Sequence, residues 1–182
     1  MRIRDAAAGD LGAITTIYAH HVLAGTGTFE EEPPPPDELT RRIAKVQGAG
    51  WAWLVAEGEA GEAGEAEVLG FGYYAQFRDR SAYRYCAEDS IYVRDDVRGQ
   101  GVGKALVEAL LAHAAARGFR QMLAVIGDSE NAGSIGLHAS LGFRQAGTMR
   151  AVGLKFGRWL DVVTMQRALG EGERTLPDGT IA

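Results

Sequence analysis

The stretch SIYVRDDVRGQGVGK at residues 90–104 determines how the fold of the chain is interpreted. It begins with alternating apolar residues, continues through three glycines, and is followed by Ala105–Leu111, where apolar residues recur at helical spacing. The pattern predicts a strand, a glycine-rich turn and a helix. Such a turn exposes main-chain N–H groups at a helix N-terminus, where a phosphate or pyrophosphate binds. Glycine allows close approach of the ligand and a positive φ.

Two common phosphate-binding patterns do not fit this turn. The Walker pattern G-x-x-x-x-G-K-[ST] fails because Arg98 stands at its first glycine and Ala105 follows Lys104. The dinucleotide pattern G-x-G-x-x-G fails from either of the first two glycines. The pattern [Q/R]-x-x-G-x-[G/A] does fit, as Arg98, Gly101 and Gly103. On the turn alone, a glycine-rich connection without a ligand remains the alternative.

The composition predicts a single globular domain. A chain of 182 residues, 46% hydrophobic and 24% charged, is long enough for one core and short for two. One cysteine, Cys86, leaves no internal disulfide or cysteine-based zinc site, which favours a reducing cytoplasm. The net charge of −5 argues against nucleic-acid binding, and no apolar run is long enough for a membrane span. An anionic ligand must therefore be held by local cations, and Arg94, Arg98 and Lys104 flank the turn.

Hydrophobic periodicity predicts a mixed α/β domain at 1–169, followed by a flexible tail at 170–182. Strands are predicted at 1–5, 51–56, 68–77, 83–93, 121–126, 144–152 and 159–167. Helices are predicted from about residue 10, at 37–47, at 101–117, and from 131 to the glycine at 142. Asp10 and Asp37 are expected to cap the first two helices, which form one wall of a substrate pocket. The Gly/Ala/Glu tract at 57–67 is expected to be a solvated hairpin loop.

Three stretches together resemble the GNAT superfamily of N-acetyltransferases, which bind acetyl-CoA. The first is the turn at 98–104, which is similar to the pyrophosphate loop of that superfamily. The second is Asn131–Ser134 at a helix start, where a side-chain amide meets the pantetheine or phosphate arm. The third is LHASLGF at 137–143, which resembles an L-Y-x-x-x-G-F segment that packs against coenzyme A. The resemblance implies an acyl-CoA N-acyltransferase fold: a central mixed, mainly antiparallel sheet flanked by helices.

Over residues 2–168 the chain resembles one branch of that superfamily, the phosphinothricin and methionine sulfoximine acetyltransferases. The segments that carry this resemblance are TGTF at 26–29, FR at 77–78, YR at 83–84, EDSIYV at 88–93 and VGLKFGRWLD at 152–161. The branch implies transfer of acetyl from acetyl-CoA directly to the primary amine of a small amino-acid-like substrate of the phosphinothricin, methionine sulfoximine or sulfone type. It also implies a homodimer, in which Lys155, Phe156 and Trp159 shape a contact near the site.

The resemblance also implies a cofactor site without a metal. Its residues are Ile91, Tyr92, Val93, Arg98, Gly99, Gln100, Gly101, Val102, Gly103, Lys104, Asn131 and Ser134. A main-chain N–H at Val93 or its neighbours is expected to stabilise the oxyanion that develops on the acetyl carbonyl. His20 and His21 are adjacent on a helix and point in different directions, so they are not expected to bind a metal together.

Two residues are predicted to handle protons. Amine acetylation requires a deprotonated nucleophile, and Glu88 matches the general-base position of the branch. Its alternative role is as a partner for Arg84, while Asp89 should point to the opposite face of the strand. His138 stands where the superfamily usually has a tyrosine that protonates the CoA thiolate, and imidazole can also donate a proton. A packed or capping histidine is the alternative.

Four residues are predicted to recognise the acceptor. Arg78 and Arg84 match the substrate positions of the branch, and arginine suits carboxylate or phosphinate groups through its planar fork of donors. Phe29 and Tyr83 would supply apolar walls. The alternatives are solvated arginines and core-packed aromatic rings.

Two other functions compete with this interpretation. One is a same-fold acetyltransferase for another amine, such as a different amino acid, a polyamine or a protein N-terminus. The acidic chain and the arginine pair Arg78 and Arg84 favour a small anionic amino acid over a polyamine. The other is a CoA-binding sensor without turnover, against which Glu88 and the intact turn at 98–104 both argue.

Overall fold

The structure is a computed structural model that describes residues 1–60 and 66–177. The centre of the predicted hairpin loop, 61–65, and the end of the predicted tail, 178–182, lie outside the described residues. Within the described ranges, none of the helices is long and apolar enough to cross a membrane.

Seven strands and four α-helices occupy the described ranges, in the mixed arrangement that the periodicity predicts. The strands are β1 (Arg2–Asp5), β2 (Trp53–Ala60), β3 (Ala66–Gln76), β4 (Cys86–Val93), β5 (Gln121–Gly127), β6 (Arg144–Lys155) and β7 (Arg158–Ala168). The helices are α1 (Leu11–Ala24), α2 (Pro36–Gly48), α3 (Val102–Ala116) and α4 (Ala132–Ser140). The predicted strand at 83–93 begins later, because Ser81–Tyr83 forms a 3-10 turn before it.

The strands form one sheet in the order β1-β2-β3-β4-β5-β7-β6. Neighbouring strands are antiparallel except for β4 and β5, which are parallel. The prediction of a central mixed, mainly antiparallel sheet flanked by helices is therefore confirmed. Helices α1 and α2 cover one face of the sheet, while α3 packs on the other, as the two core clusters show.

The parallel pair β4–β5 separates part of the way along its length. Pairing runs from Cys86 opposite Gln121 to Asp89 opposite Ala124, although both strands continue further. Beyond that point β4 stays paired with β3, and β5 stays paired with β7. The sheet therefore splits between two strands that each keep their outer partner. Main-chain groups that a regular sheet would pair across this gap become available to a ligand.

The two predicted helix caps are not formed. Asp10 lies at the start of α1, but its carboxylate accepts bonds from the Ala7 N–H (2.8 Å) and the Arg4 guanidinium (2.7 and 2.8 Å). Helix α2 begins at Pro36, so Asp37 lies inside the first turn and pairs with Arg41 at 2.9 Å. The prediction for Asp37 missed the ability of proline to occupy the first helical position, where no N–H is needed.

Candidate active site

A cleft of about 850 Å³ opens where β4 and β5 separate. Its walls come from the separated ends of these two strands, the glycine turn, the starts of α3 and α4, and the loop that follows α1. All of the predicted cofactor residues line it except Gln100, whose exposed side chain donates to the Asp96 carbonyl at 3.2 Å. The cleft therefore brings together stretches that lie more than 100 residues apart in the chain.

The glycine turn has the conformation that an anion site requires. Gly99 and Gly101 have φ of +77° and +86°, a region that L side chains rarely adopt. Gly101 immediately precedes α3, so the unpaired N–H groups of the first helical turn begin at the cleft wall. Arg98 and Lys104 line the same wall and supply positive charge. These groups fit the pyrophosphate of a CoA thioester.

Not every cation near the turn faces the cleft. Arg98 forms an ion pair with Asp95, which also accepts a 2.7 Å bond from His20. Arg94 pairs with Asp96 at 2.6 Å and with Glu67 at 2.8 Å and is not among the lining residues. The predicted contribution of Arg94 to holding the anion is therefore not supported by its position.

The start of α4 forms the opposite wall of the cleft. The Asn131 side-chain oxygen accepts a bond from the Ser134 N–H at 3.1 Å and so caps the helix. Its NH₂ group remains as the donor for a ligand, close to Gly27 of the facing loop. The cap thus fixes the orientation of the amide that the sequence assigned to the cofactor.

A buried His138–Asp89 pair lies at the point where the strands part. His138 Nε2 is 3.3 Å from Asp89 Oδ2, and His138 Nδ1 is 2.8 Å from the Ser134 carbonyl oxygen. The His138 ring is 3% exposed, and both residues line the cleft. Burial alone would lower the pKa of His138, but the hydrogen bond and charge of Asp89 outweigh it and raise the pKa. His138 therefore keeps its proton to a higher pH than an ordinary histidine does.

Glu88 lies on the opposite face of β4 from Asp89, as strand alternation predicts. It does not line the cleft, but Ser90 and Tyr92, which follow it on the same face, do. Burial raises the pKa of Glu88 above its ordinary value of 4.5, while the charge of Arg78 opposes that shift. The carboxyl group is therefore adjacent to the cleft and tuned toward accepting a proton.

The predicted acceptor residues lie beside the cleft rather than in its wall. Phe29 is 38% exposed, and its ring covers Gly127 and Gly153 so closely that a Cβ on Gly153 would come within 2.2 Å of it. Arg78 lies 4.9 Å over its neighbouring phenylalanine ring, on the exposed turn between β3 and β4. Tyr83 and Arg84 occupy that same exposed turn. Of the two arginines, Arg78 is the one whose charge affects the pKa of Glu88.

Two features in or near the cleft were missed in the sequence. The first is His21, whose Nε2 is 2.9 Å from the Val93 carbonyl oxygen; burial lowers its pKa, so it is neutral at neutral pH and donates to that carbonyl. The sequence shows that His21 is adjacent to His20, but it does not show a contact with a residue 72 positions further along the chain. The second is Lys155, predicted to shape a dimer contact. That prediction is wrong for Lys155, because its side chain turns inward and the residue is 2% exposed.

Comparison with known proteins agrees with this geometry. The model of the acetyltransferase (GNAT) family matches residues 14–143. A phosphinothricin N-acetyltransferase of Alcaligenes faecalis is 50% identical over 169 residues, which is 93% of this chain and 83% of that protein. An L-methionine sulfoximine/L-methionine sulfone acetyltransferase of Pseudomonas paraeruginosa is 44% identical, over 90% of this chain and 92% of that protein.

A solved structure shows the same fold. It is a GNAT superfamily phosphinothricin acetyltransferase from Sinorhizobium meliloti in complex with AcCoA, 47% identical, with a TM-score of 0.92. The alignment covers 99% of this chain and 94% of that one. The chain belongs to the GNAT acetyltransferase family. The predicted enzyme class, an acetyl-CoA-dependent N-acetyltransferase, is therefore confirmed, and so is the predicted cosubstrate.

The His138–Asp89 pair predicts a pH-dependent part of the stability. Because the pKa of His138 is higher in the folded chain than its ordinary value of 6.5, the protonated ring stabilises the fold fully below pH 6.5. This contribution is lost as the pH rises through the raised pKa that His138 has in the folded chain. Asp89→Asn should lower the pKa of His138 and flatten the fall in unfolding free energy above pH 6.5.

Urea unfolding at several pH values and an NMR titration of the His138 ring measure these two effects. Asp95→Asn is the matched control, because it removes the partner of the exposed His20 instead. An unchanged His138 titration in Asp89→Asn would contradict the assignment of the pair.

Proposed function

We propose that this enzyme acetylates the primary amine of a small amino-acid-like acceptor of the phosphinothricin, methionine sulfoximine or methionine sulfone type. The observation that carries the proposal is the position of Glu88, on the α1/α2 face of β4 and next to the cofactor cleft. The relatives named for these acceptors, at 44–50% identity, support the choice of acceptor class. We assign the reaction to the cytoplasm, in keeping with the lone Cys86.

The main chain of β4 supplies the oxyanion donor. In a strand, the N–H and C=O of one residue point to the same side, and neighbouring residues alternate. The Val93 carbonyl accepts its bond from His21, away from β3. The Val93 N–H therefore also points away from β3, toward the gap that β5 leaves open. This orientation supports Val93 as the donor that stabilises charge on the acetyl carbonyl.

Glu88 acts as the general base in this proposal. An ammonium acceptor has no lone pair for attack, so its proton must be removed before or during the reaction. The raised pKa of Glu88 brings its basicity closer to the working pH than that of a solvated glutamate. Arg78, whose charge reaches Glu88, supports binding of the anionic end of the acceptor, with Tyr83 and Arg84 on the same turn. Phe29 supplies an apolar wall.

His138 is the candidate proton donor to the CoA thiolate. It lies in the cleft wall and holds its proton through Asp89. Both ring nitrogens already face acceptors, at 2.8 Å for Nδ1 and 3.3 Å for Nε2. The longer contact, at Nε2, is the one that a thiolate in the cleft would replace. This arrangement supports the acid role while also explaining the burial of the ring.

The β6–β7 hairpin supports a homodimer. Five of its apolar residues are more than half exposed: Met149, Val152, Leu154, Phe156 and Trp159. Such a contiguous apolar surface on a soluble domain is typical of a protein contact. Closed homodimers are the commonest assemblies, and in them one surface of this kind meets its own copy. The Phe29 ring packs on the opposite face of the same hairpin, at Gly153, so the contact lies near the acceptor side.

A thiol-release assay tests the proposed function. With acetyl-CoA fixed, phosphinothricin, methionine sulfoximine and methionine sulfone are expected to release CoA at higher kcat/KM than common amino acids or spermidine. A higher kcat/KM for spermidine or for a peptide N-terminus would show that the proposed acceptor class is wrong. Tight acetyl-CoA binding without release for any amine would indicate a sensor instead.

The base assignment predicts the effect of Glu88→Gln. Loss of the carboxylate should lower kcat/KM for the acceptor by roughly 10²- to 10⁴-fold at neutral pH. The loss should shrink at alkaline pH, where more of the free amine is already deprotonated. Steady-state rates from pH 6 to 10 measure this. Glu108→Gln, on the exposed side of α3, is the matched control, and a Glu88→Gln rate equal to the control at neutral pH would remove Glu88 as the base.

The dimer assignment predicts the effect of Trp159→Glu. Trp159 is 66% exposed in one chain, so a charge there should harm the contact and not the fold. The dimer dissociation constant should rise on the order of 30-fold or more, as loss of about 2 kcal/mol at an interface hot spot implies. Sedimentation analysis across concentrations measures it, with Gln145→Glu at the other end of the hairpin as control. A wild-type chain that sediments as a monomer at every concentration would refute the contact.

A further inference from the structure

The loop Gly25–Phe29, between α1 and α2, forms one wall of the cleft. Gly25, Thr26 and Gly27 line the cleft, and Phe29 lies two residues further along the chain. The loop crosses the end of β5 so closely that a Cβ on Gly127 would lie 2.4 Å from the Thr26 carbonyl oxygen. The position of this loop therefore sets both the width of the cleft and the place of the Phe29 ring.

The sequence of the loop gives it little rigidity of its own. Two of its five residues are glycine, which loses more conformational freedom on ordering than any other residue. It lies outside helices and strands. The Thr28 hydroxyl is within 3.3 Å of the Tyr18 hydroxyl, a weak contact by its length. A loop of this kind needs an external anchor to keep one conformation.

Lys155 supplies that anchor from the tip of the β6–β7 hairpin. Its Nζ donates to the Gly25 carbonyl at 2.9 Å and to the Thr28 carbonyl at 2.8 Å, so one ammonium group holds both ends of the loop. Within the described residues its hydrogen-bond partners are main-chain carbonyls, and no carboxylate lies within ion-pair distance. The ammonium also lies 5.0 Å over the Phe156 ring. A buried charge held this way is costly, which points to a role beyond stability.

We propose that Lys155 is a positioning residue for acetyl transfer, which holds the Gly25–Phe29 loop at the distance from β4 that confines the acceptor against the reacting carbonyl. The inference rests on the proposed function, because it concerns the same acceptor side. Lys155 itself is buried beneath the loop and does not line the cleft. It acts through the loop, so its loss should alter acceptor turnover more than cofactor binding.

Lys155→Met tests this with an apolar side chain of similar length. The substitution removes a buried charge but leaves the Gly25 and Thr28 carbonyls without their donor, so the variant should fold with a lowered melting temperature. The acceptor kcat/KM should fall at least 10-fold, because a misplacement of about 1 Å can cost on the order of 10² in rate. The Kd for acetyl-CoA should change by a smaller factor than the acceptor kcat/KM, since residues 25–27 form only one wall of the cleft and the turn at 98–104 is untouched. Amide hydrogen exchange at 25–29 should become faster.

Leu111→Ala is the matched control for a purely structural effect. Leu111 lies on the buried face of α3, in the other core cluster, so this change destabilises the fold without touching the loop. It should keep the wild-type acceptor KM and the wild-type exchange rates at 25–29. A Lys155→Met enzyme within twofold of the wild type, or a Leu111→Ala enzyme with an equal catalytic loss, would overturn the proposal.

Amide hydrogen exchange of the wild-type chain tests the anchor without any variant. The amides of 25–29 should exchange more slowly than those of the exposed turn at 78–84, and equal rates would overturn the anchor even if Lys155→Met fails to fold. Exchange needs no acceptor. A wild-type chain that acetylates none of the amines would therefore refute the proposed function, while the exchange rates still report on Lys155.

Discussion

The early end of the β4–β5 pairing is the constraint on which the site depends. Up to Asp89 and Ala124 the two strands satisfy each other, and beyond them each keeps only its outer neighbour. The edges that face the gap carry main-chain donors and acceptors inside the domain, where unpaired polar groups are costly. His21 satisfies one of them at Val93, and the others are left for a ligand. The cleft thus forms because the two strands stop pairing, and the glycine turn lies at its wall with the conformation that an anion site requires.

Strand alternation places two sets of titratable groups, Glu88 and the His138–Asp89 pair, on opposite faces of β4. Consecutive residues of β4 alternate between the faces, so Glu88 turns toward the α1/α2 side while Asp89 meets His138 beneath α4. Burial raises the pKa of Glu88, and the carboxylate of Asp89 raises that of His138 against the effect of burial. One side therefore favours taking up a proton and the other favours holding one. That division suits a reaction in which an amine loses a proton and a thiolate gains one.

Local signals explain what could be predicted from the sequence. Periodicity located the helices and strands to within a few residues, and the glycines at 99–103 identified the anion site, because both depend on neighbours in the chain. The His138–Asp89 pair and the Lys155 anchor join residues 49 and about 130 positions apart. Strand alternation places Lys155 on the opposite face from the exposed Leu154. The local pattern does not show that the loop at 25–29 covers that face, so the prediction that Lys155 shapes a dimer contact failed. The prediction that Asp37 caps α2 failed although the signal is local, because the proline one residue earlier already begins the helix.

The Phe29 ring and Gly153 beneath it form a pair that must change together. A Cβ at Gly153 would come 2.2 Å from the ring, so this glycine cannot acquire a side chain while the ring stays in place. Gly127 is restricted independently, since a Cβ there would lie 2.9 Å from the ring and also 2.4 Å from the Thr26 carbonyl oxygen. A smaller residue at position 29 would remove the conflict at Gly153 and would at the same time leave more room beside the cleft. Evolution toward a bulkier acceptor is therefore open through position 29 first, and Gly153 becomes free to vary only afterwards. This packing determines the order of the substitutions as well as their identity.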